Sequence, residues 1–112
     1  MRKSALFVFL FVLFFSLGAA EDGFSLYLKK DYKEAYNAFN QQFINSDGDP
    51  LYAYNLGVTA TALGQKGNAV YFYIQALQRS PELPEAKNNL KILAGEMNIT
   101  VPQVLLEPVH SI

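Results

Sequence analysis

Between Pro50 and Leu63 the apolar and small residues fall at Ala53, Leu56, Gly57, Ala60 and Leu63, and the same spacing of three and four returns at Ala69, Val70, Tyr73, Ala76 and Leu77. That spacing gathers each set on one face of an α-helix. The pattern therefore predicts two helices, 50–63 and 68–79, joined by a short turn, "GQKG". Asp49 reads as an N-cap with Pro50 at the first helical position, and Pro81 halts the second helix. Upstream, "DYKEAYNAFNQQF" from Asp31 to Phe43 places Tyr32, Ala35, Tyr36 and Phe39 on one face and predicts a further helix; downstream, another runs from about Pro84 to Glu96. "NSDGD" between the first two units is a turn. Residues 97–112, apolar and β-branched but broken by Pro102 and Pro108, predict an extended tail. It is free to fold back into the groove of the repeat or to add a strand to another molecule.

Superposed on itself at an offset of thirty-four residues, the chain keeps small on small and large on large. Ala69 falls on Ala35, Tyr73 on Phe39 and Gly57 on Gly23, while Pro50 falls on Pro84, Asn55 on Asn89, Leu56 on Leu90 and Val58 on Ile92. A fixed offset of this kind is an internal repeat. One copy is complete, 50–83; the copy before it retains little of its first helix, and the copy after it is a single helix. Gly57 and Ala69, small residues amid bulky ones, predict that the two helices of a hairpin approach closely there, and Ala76 does the same against the helix that follows.

Leu56, Gly57, Ala69, Tyr73, Ala76 and Pro81 resemble the signature positions of the tetratricopeptide repeat, with Ala53 and Ala60 replacing its usual aromatics. The resemblance implies an all-α solenoid of antiparallel helix hairpins over residues 21–96. From Tyr54 to Leu90, "YNLG", the aromatic-rich "VYFYIQAL" and "NNL" are similar to exported tetratricopeptide proteins of the Bat aerotolerance type. Members of that group are often longer and carry membrane helices and further domains. This second resemblance implies a bacterial cell-envelope adaptor whose partners carry von Willebrand-type domains.

The front of the chain has a separate character. Arg2 and Lys3 precede "ALFVFLFVLFFSLG", and small residues stand before Glu21, the layout of a secretory signal peptide cleaved after Ala20. The apolar run is too short to span a bilayer comfortably. Retention as an anchor is the alternative; cleavage would deliver a periplasmic or secreted chain that does not span the membrane. Beyond residue 20 there are seven basic and ten acidic side chains, which favours neither nucleic acid nor an anionic membrane as partner. There is no cysteine, so stability must come from packing.

Candidate chemistry is sparse. The single histidine, His110, stands at a chain end, and no cysteine or histidine cluster offers metal-ligand spacing. Asp47 and Asp49 read as turn and cap residues, and Asn98 to Thr100 is formally a glycosylation sequon. No enzymatic role, cofactor or metal is expected. The tetratricopeptide resemblance instead places Leu51, Tyr54, Val58 and Thr61 on a concave groove, with Glu85, Asn88 and Ile92 from the last helix and Asn55 and Asn89 beside them. The asparagines serve equally well as clamps on a peptide backbone or as structural hydrogen-bonding groups. Glu85 and Asn89 stand where related chaperone-binding domains hold a terminal carboxylate with cationic residues, which disfavours a carboxylate ligand. The expected function is an adaptor or scaffold for a protein or peptide partner. The alternative is a self-assembling structural subunit, a homo-oligomer whose aromatic surface, including Tyr27, Tyr71 and Phe72, packs on another copy while the tail fills the groove.

Overall fold

A computed structural model of the chain describes residues 22–106, so the proposed signal peptide and the final residues, His110 among them, lie outside the described part. Among the described residues five α-helices follow one another: α1 (Gly23–Leu28), α2 (Tyr32–Asn45), α3 (Pro50–Ala62), α4 (Lys66–Arg79) and α5 (Pro84–Met97), then a 3-10 turn at Gln103–Leu105. There is no strand among the described residues. Each helix packs on the next in sequence, α1 on α2, α2 on α3, α3 on α4 and α4 on α5. This nearest-neighbour stacking defines a helical solenoid of tetratricopeptide-type hairpins.

The helix boundaries follow local chemistry. At α3, the Asp49 side chain accepts a hydrogen bond from the Leu51 backbone N–H at 2.9 Å, with Pro50 in the first turn where its missing N–H costs nothing. Asp22 caps α1 in the same way, accepting from the Ser25 N–H at 2.9 Å. One difference from expectation lies in the hairpin turn: α4 begins at Lys66, two residues earlier than the periodicity predicts, so Gly67 is helical and the turn shrinks to 63–65.

The thirty-four-residue period reappears in the backbone. Lys30, Gly64 and Asn98 all take left-handed φ, at 64°, 76° and 55°, each just past the first helix of its unit. The residue after each donates its N–H back across the turn: Asp31 to Leu26 at 3.0 Å, Gln65 to Ala60 at 2.8 Å and Ile99 to Ala94 at 3.0 Å. These are three copies of one left-handed helix stop, which satisfies carbonyls that the helix end leaves open.

Packing repeats as well. Tyr73 and Phe39 are buried one period apart, and each lays its ring where a glycine leaves room: a Cβ on Gly57 would stand 2.6 Å from Tyr73 Cε1, and one on Gly23 would meet Phe39 Cδ1 at 2.5 Å. The small residue thus admits an aromatic ring from the partner helix rather than bare backbone. Between hairpins, Phe72 is buried edge-on against Tyr36 and Phe43, with centroids at 6.1 and 6.2 Å. Phe72 therefore belongs to the interface between the first two units and not to an exposed aromatic surface; of its neighbours Tyr71 alone stays outside, 56% exposed. Helix α3, which carries no charged residue, is flanked by α2 and α4 and buries Ala53, Leu56, Gly57, Thr59 and Ala60.

The tail also departs from expectation. Met97 still belongs to α5, and Val101, Leu105 and Leu106 turn back onto the core, with the 3-10 turn against α4. One period after α4, this segment stands where the third unit would carry its second helix. Among the described residues it forms one short 3-10 turn after Pro102, and Val101, Leu105 and Leu106 close the end of the core.

Candidate functional site

Helices α1, α3 and α5 are the first helices of successive units, and their side chains line two adjoining cavities. The larger, of about 300 Å³, lies between Tyr27 of α1, Val58 and Thr61 of α3, and Asn89, Ile92 and Glu96 of α5. The smaller, of about 170 Å³, is enclosed by Phe24 and Tyr27 of α1, Tyr54, Asn55 and Val58 of α3, and Phe39 from below. Tyr27 and Val58 border both.

Of the residues that the sequence placed on the groove, Tyr54, Asn55, Val58, Thr61, Asn89 and Ile92 line these cavities. Leu51 and Asn88 are exposed and line neither; Leu51 sits in the first turn of α3, next to its cap. Tyr27 and Phe24 were missed. Stepping back thirty-four residues from Thr61 and Val58 reaches both of them, but the six-residue α1 offers too little periodicity to be recognised as a helix by itself.

Polar groups are concentrated on the α5 side. Asn89 Nδ2 donates to the Tyr73 hydroxyl at 3.3 Å, so one of the two asparagines is a structural tie across the groove floor. Burial raises the Tyr73 phenol above its ordinary pKa, and its hydrogen bonds with Thr61 and Asn89 offset only part of that rise. Thr61 Oγ1 donates to the Gly57 carbonyl at 2.9 Å. The Asn55 side chain borders the smaller cavity, and its backbone carbonyl accepts a hydrogen bond from Thr59 Oγ1 at 2.7 Å. Glu96 forms a half-exposed ion pair with Lys66 at 3.3 Å.

No residue from 98 to 106 lines either cavity, so the described part of the tail does not fill the groove. Among the described residues there is no group of acidic, histidine or cysteine side chains arranged to hold a metal ion, and no helix is long and apolar enough to cross a membrane.

Comparison with known proteins gives kinship at the level of the repeat. The chain is 36% identical over 76 residues to the photosystem I assembly protein Ycf3 of Chaetosphaeridium globosum, covering 64% of this chain and 44% of that one. It is 30% identical over 76 residues to the proteins of the same name from Cuscuta gronovii and Synechococcus elongatus, again over 64% of this chain and 45% and 43% of theirs. The chain thus spans less than half the length of these curated relatives. No family model matches the sequence. No solved structure matches it either.

Proposed function

We propose that this protein is an adaptor that binds a segment of a partner protein along the face formed by α1, α3 and α5, and that it does so in the bacterial cell envelope after export. The observation that carries this reading is the pair of adjoining cavities, built from residues that recur with the repeat and lined mainly by aromatic and aliphatic side chains. A concave apolar surface with few, placed polar groups suits a ligand side chain better than bulk water. The similar proteins are named for assembling photosystem I, which fits a role in bringing other proteins together. The arrangement of the export segment at the front supports the envelope setting, and the Bat-type similarity makes von Willebrand-type domain proteins the first partners to examine.

End-to-end self-assembly is less well supported. One period beyond Gly57 the chain has Lys91, exposed on α5, so the place where the third unit's second helix would lay its ring is not open to an aromatic side chain from a helix of another copy. The folded tail also covers part of the core at that end.

Photo-crosslinking in the native cell, with the full chain as bait and a Tyr54→Glu, Val58→Glu double variant as control, tests the proposal. A partner captured by the parent and lost in the variant, with unchanged helical circular dichroism, is the expected result. Recovery of only the chain's own copies, in equal amount from both baits, would replace the adaptor with a self-assembling subunit. Fractionation of the same cells tests export: retention of the mature chain in the cytoplasm would remove the envelope setting.

A further inference from the structure

The larger cavity has a chemical bias that the groove as a whole does not. Its walls are apolar at Val58, Ala62, Ile92 and Leu93, and Tyr27 and Tyr73 add aromatic surface. Its remaining polar atoms are mostly acceptors. Asn89 gives one of its two amide N–H groups to the Tyr73 hydroxyl and keeps its Oδ1 available; Thr61 spends its proton on the Gly57 carbonyl, so its oxygen can only accept; Glu96 brings a carboxylate. No lysine or arginine lines the cavity.

We propose that this cavity is a socket for one arginine side chain of the partner segment, an assignment that rests on the groove reading given above. The aliphatic stem lies along Val58 and Ile92, and the guanidinium reaches the Tyr27 ring and the Glu96 carboxylate. Guanidinium is a donor-only group with several N–H bonds in one plane, and it also packs favourably on an aromatic face. An acidic side chain would meet the Glu96 carboxylate with no cationic group lining the cavity to offset the repulsion. A purely apolar one would cover the Asn89 and Thr61 acceptors without bonding them, at a desolvation cost.

The repeat explains why the socket occurs once. Leu28, Ala62 and Glu96 occupy equivalent places in the three units, and only the third carries charge. The smaller cavity, with Phe24, Phe39 and Tyr54 around it, has no ionic group and suits an apolar side chain. A ligand would therefore be held in one register, its arginine at α5 and its apolar residue toward α1. Lys66, paired with Glu96 at 3.3 Å outside the cavity lining, competes with the ligand for the carboxylate.

The test uses fluorescence anisotropy of the purified full chain with short labelled leucine–serine peptides whose central residue is arginine, norleucine or glutamate. The arginine peptide should bind about tenfold more tightly than the norleucine peptide, the glutamate peptide more weakly still. Glu96→Gln should remove most of the arginine preference and leave norleucine binding unchanged. Lys66→Met should act in the opposite direction and tighten arginine binding by up to about fivefold, because it releases an exposed ion pair. Equal binding of arginine and norleucine peptides, both abolished by Val58→Glu, would overturn the socket while keeping the groove. Binding of none of the peptides, or binding indifferent to Val58→Glu, would overturn both.

Discussion

Gly57→Ala should destabilise the protein although alanine is the better helix former. The added Cβ would stand 2.6 to 2.9 Å from three atoms of the Tyr73 ring, closer than non-bonded carbons approach. The ring has little freedom to retreat: Tyr73 is 2% exposed, its hydroxyl is bonded to Asn89, and the Tyr54 ring lies beside it at a centroid distance of 5.9 Å. Contacts this short against a ring this confined belong to the upper part of the usual overpacking cost, about 2–3 kcal/mol, and the helix-propensity gain returns about 1 kcal/mol, so a net loss of about 1–2 kcal/mol is expected. In a domain of this size that lowers the melting temperature by on the order of 10 °C. Gly95→Ala is the internal control, since a Cβ there meets nothing within 4 Å and the substitution should stabilise α5 by up to about 1 kcal/mol. Urea titration followed by circular dichroism measures both, and adding Tyr73→Leu to Gly57→Ala should recover part of the loss through non-additivity. If Gly57→Ala were as stable as the parent, or if both glycine variants shifted alike, the close approach of ring to helix would not be the reason for glycine at this position.

The left-handed helix stop gives a second pair of substitutions of opposite sign. Lys30→Gly should stabilise by about 1 kcal/mol by relieving a side chain held at φ 64°, whereas Gly64→Ala, at φ 76°, should cost a similar amount; thermal melts of the two variants decide it. A third concerns Gln42, one period before the fully buried Ala76, whose Oε1 is buried without a hydrogen-bonding partner. Replacing it by methionine keeps the volume and removes the acceptor, so Gln42→Met should raise stability by about 1 kcal/mol in the same urea assay, and a loss would show that the amide is bonded in solution.

Much of the fold was legible because periodicity is a local property. The spacing of Ala53, Leu56 and Ala60, repeated in Ala69, Tyr73 and Ala76, is sufficient to require helices with one buried face, and the thirty-four-residue offset requires that they come in hairpins. The tetratricopeptide resemblance implies which first-helix positions face the groove, which is why Val58 and Ile92, one period apart, could be placed on it before the structure. Signals that need length are weak here: α1 is only six residues long, so periodicity does not mark it as the first wall of the groove, and Tyr27 and Phe24 are not placed on the groove by sequence. The start of α4 was misplaced because Gly67 reads as a turn residue, although it tolerates a helix once α3 packs alongside.

By itself, then, the sequence determined the helical repeat, the small-to-large pairing within it and the scarcity of reactive chemistry, since each depends on residue type at fixed spacing. Tertiary structure alone decided what the pairings meant in space. It showed that Gly57 makes room for the Tyr73 ring, that the Asn89 side chain is tied to that ring's hydroxyl, and that the described part of the tail returns to the core instead of the groove. Those outcomes depend on which groups from different helices meet and which of their hydrogen-bonding atoms are already used. Spacing along one chain carries no record of that competition.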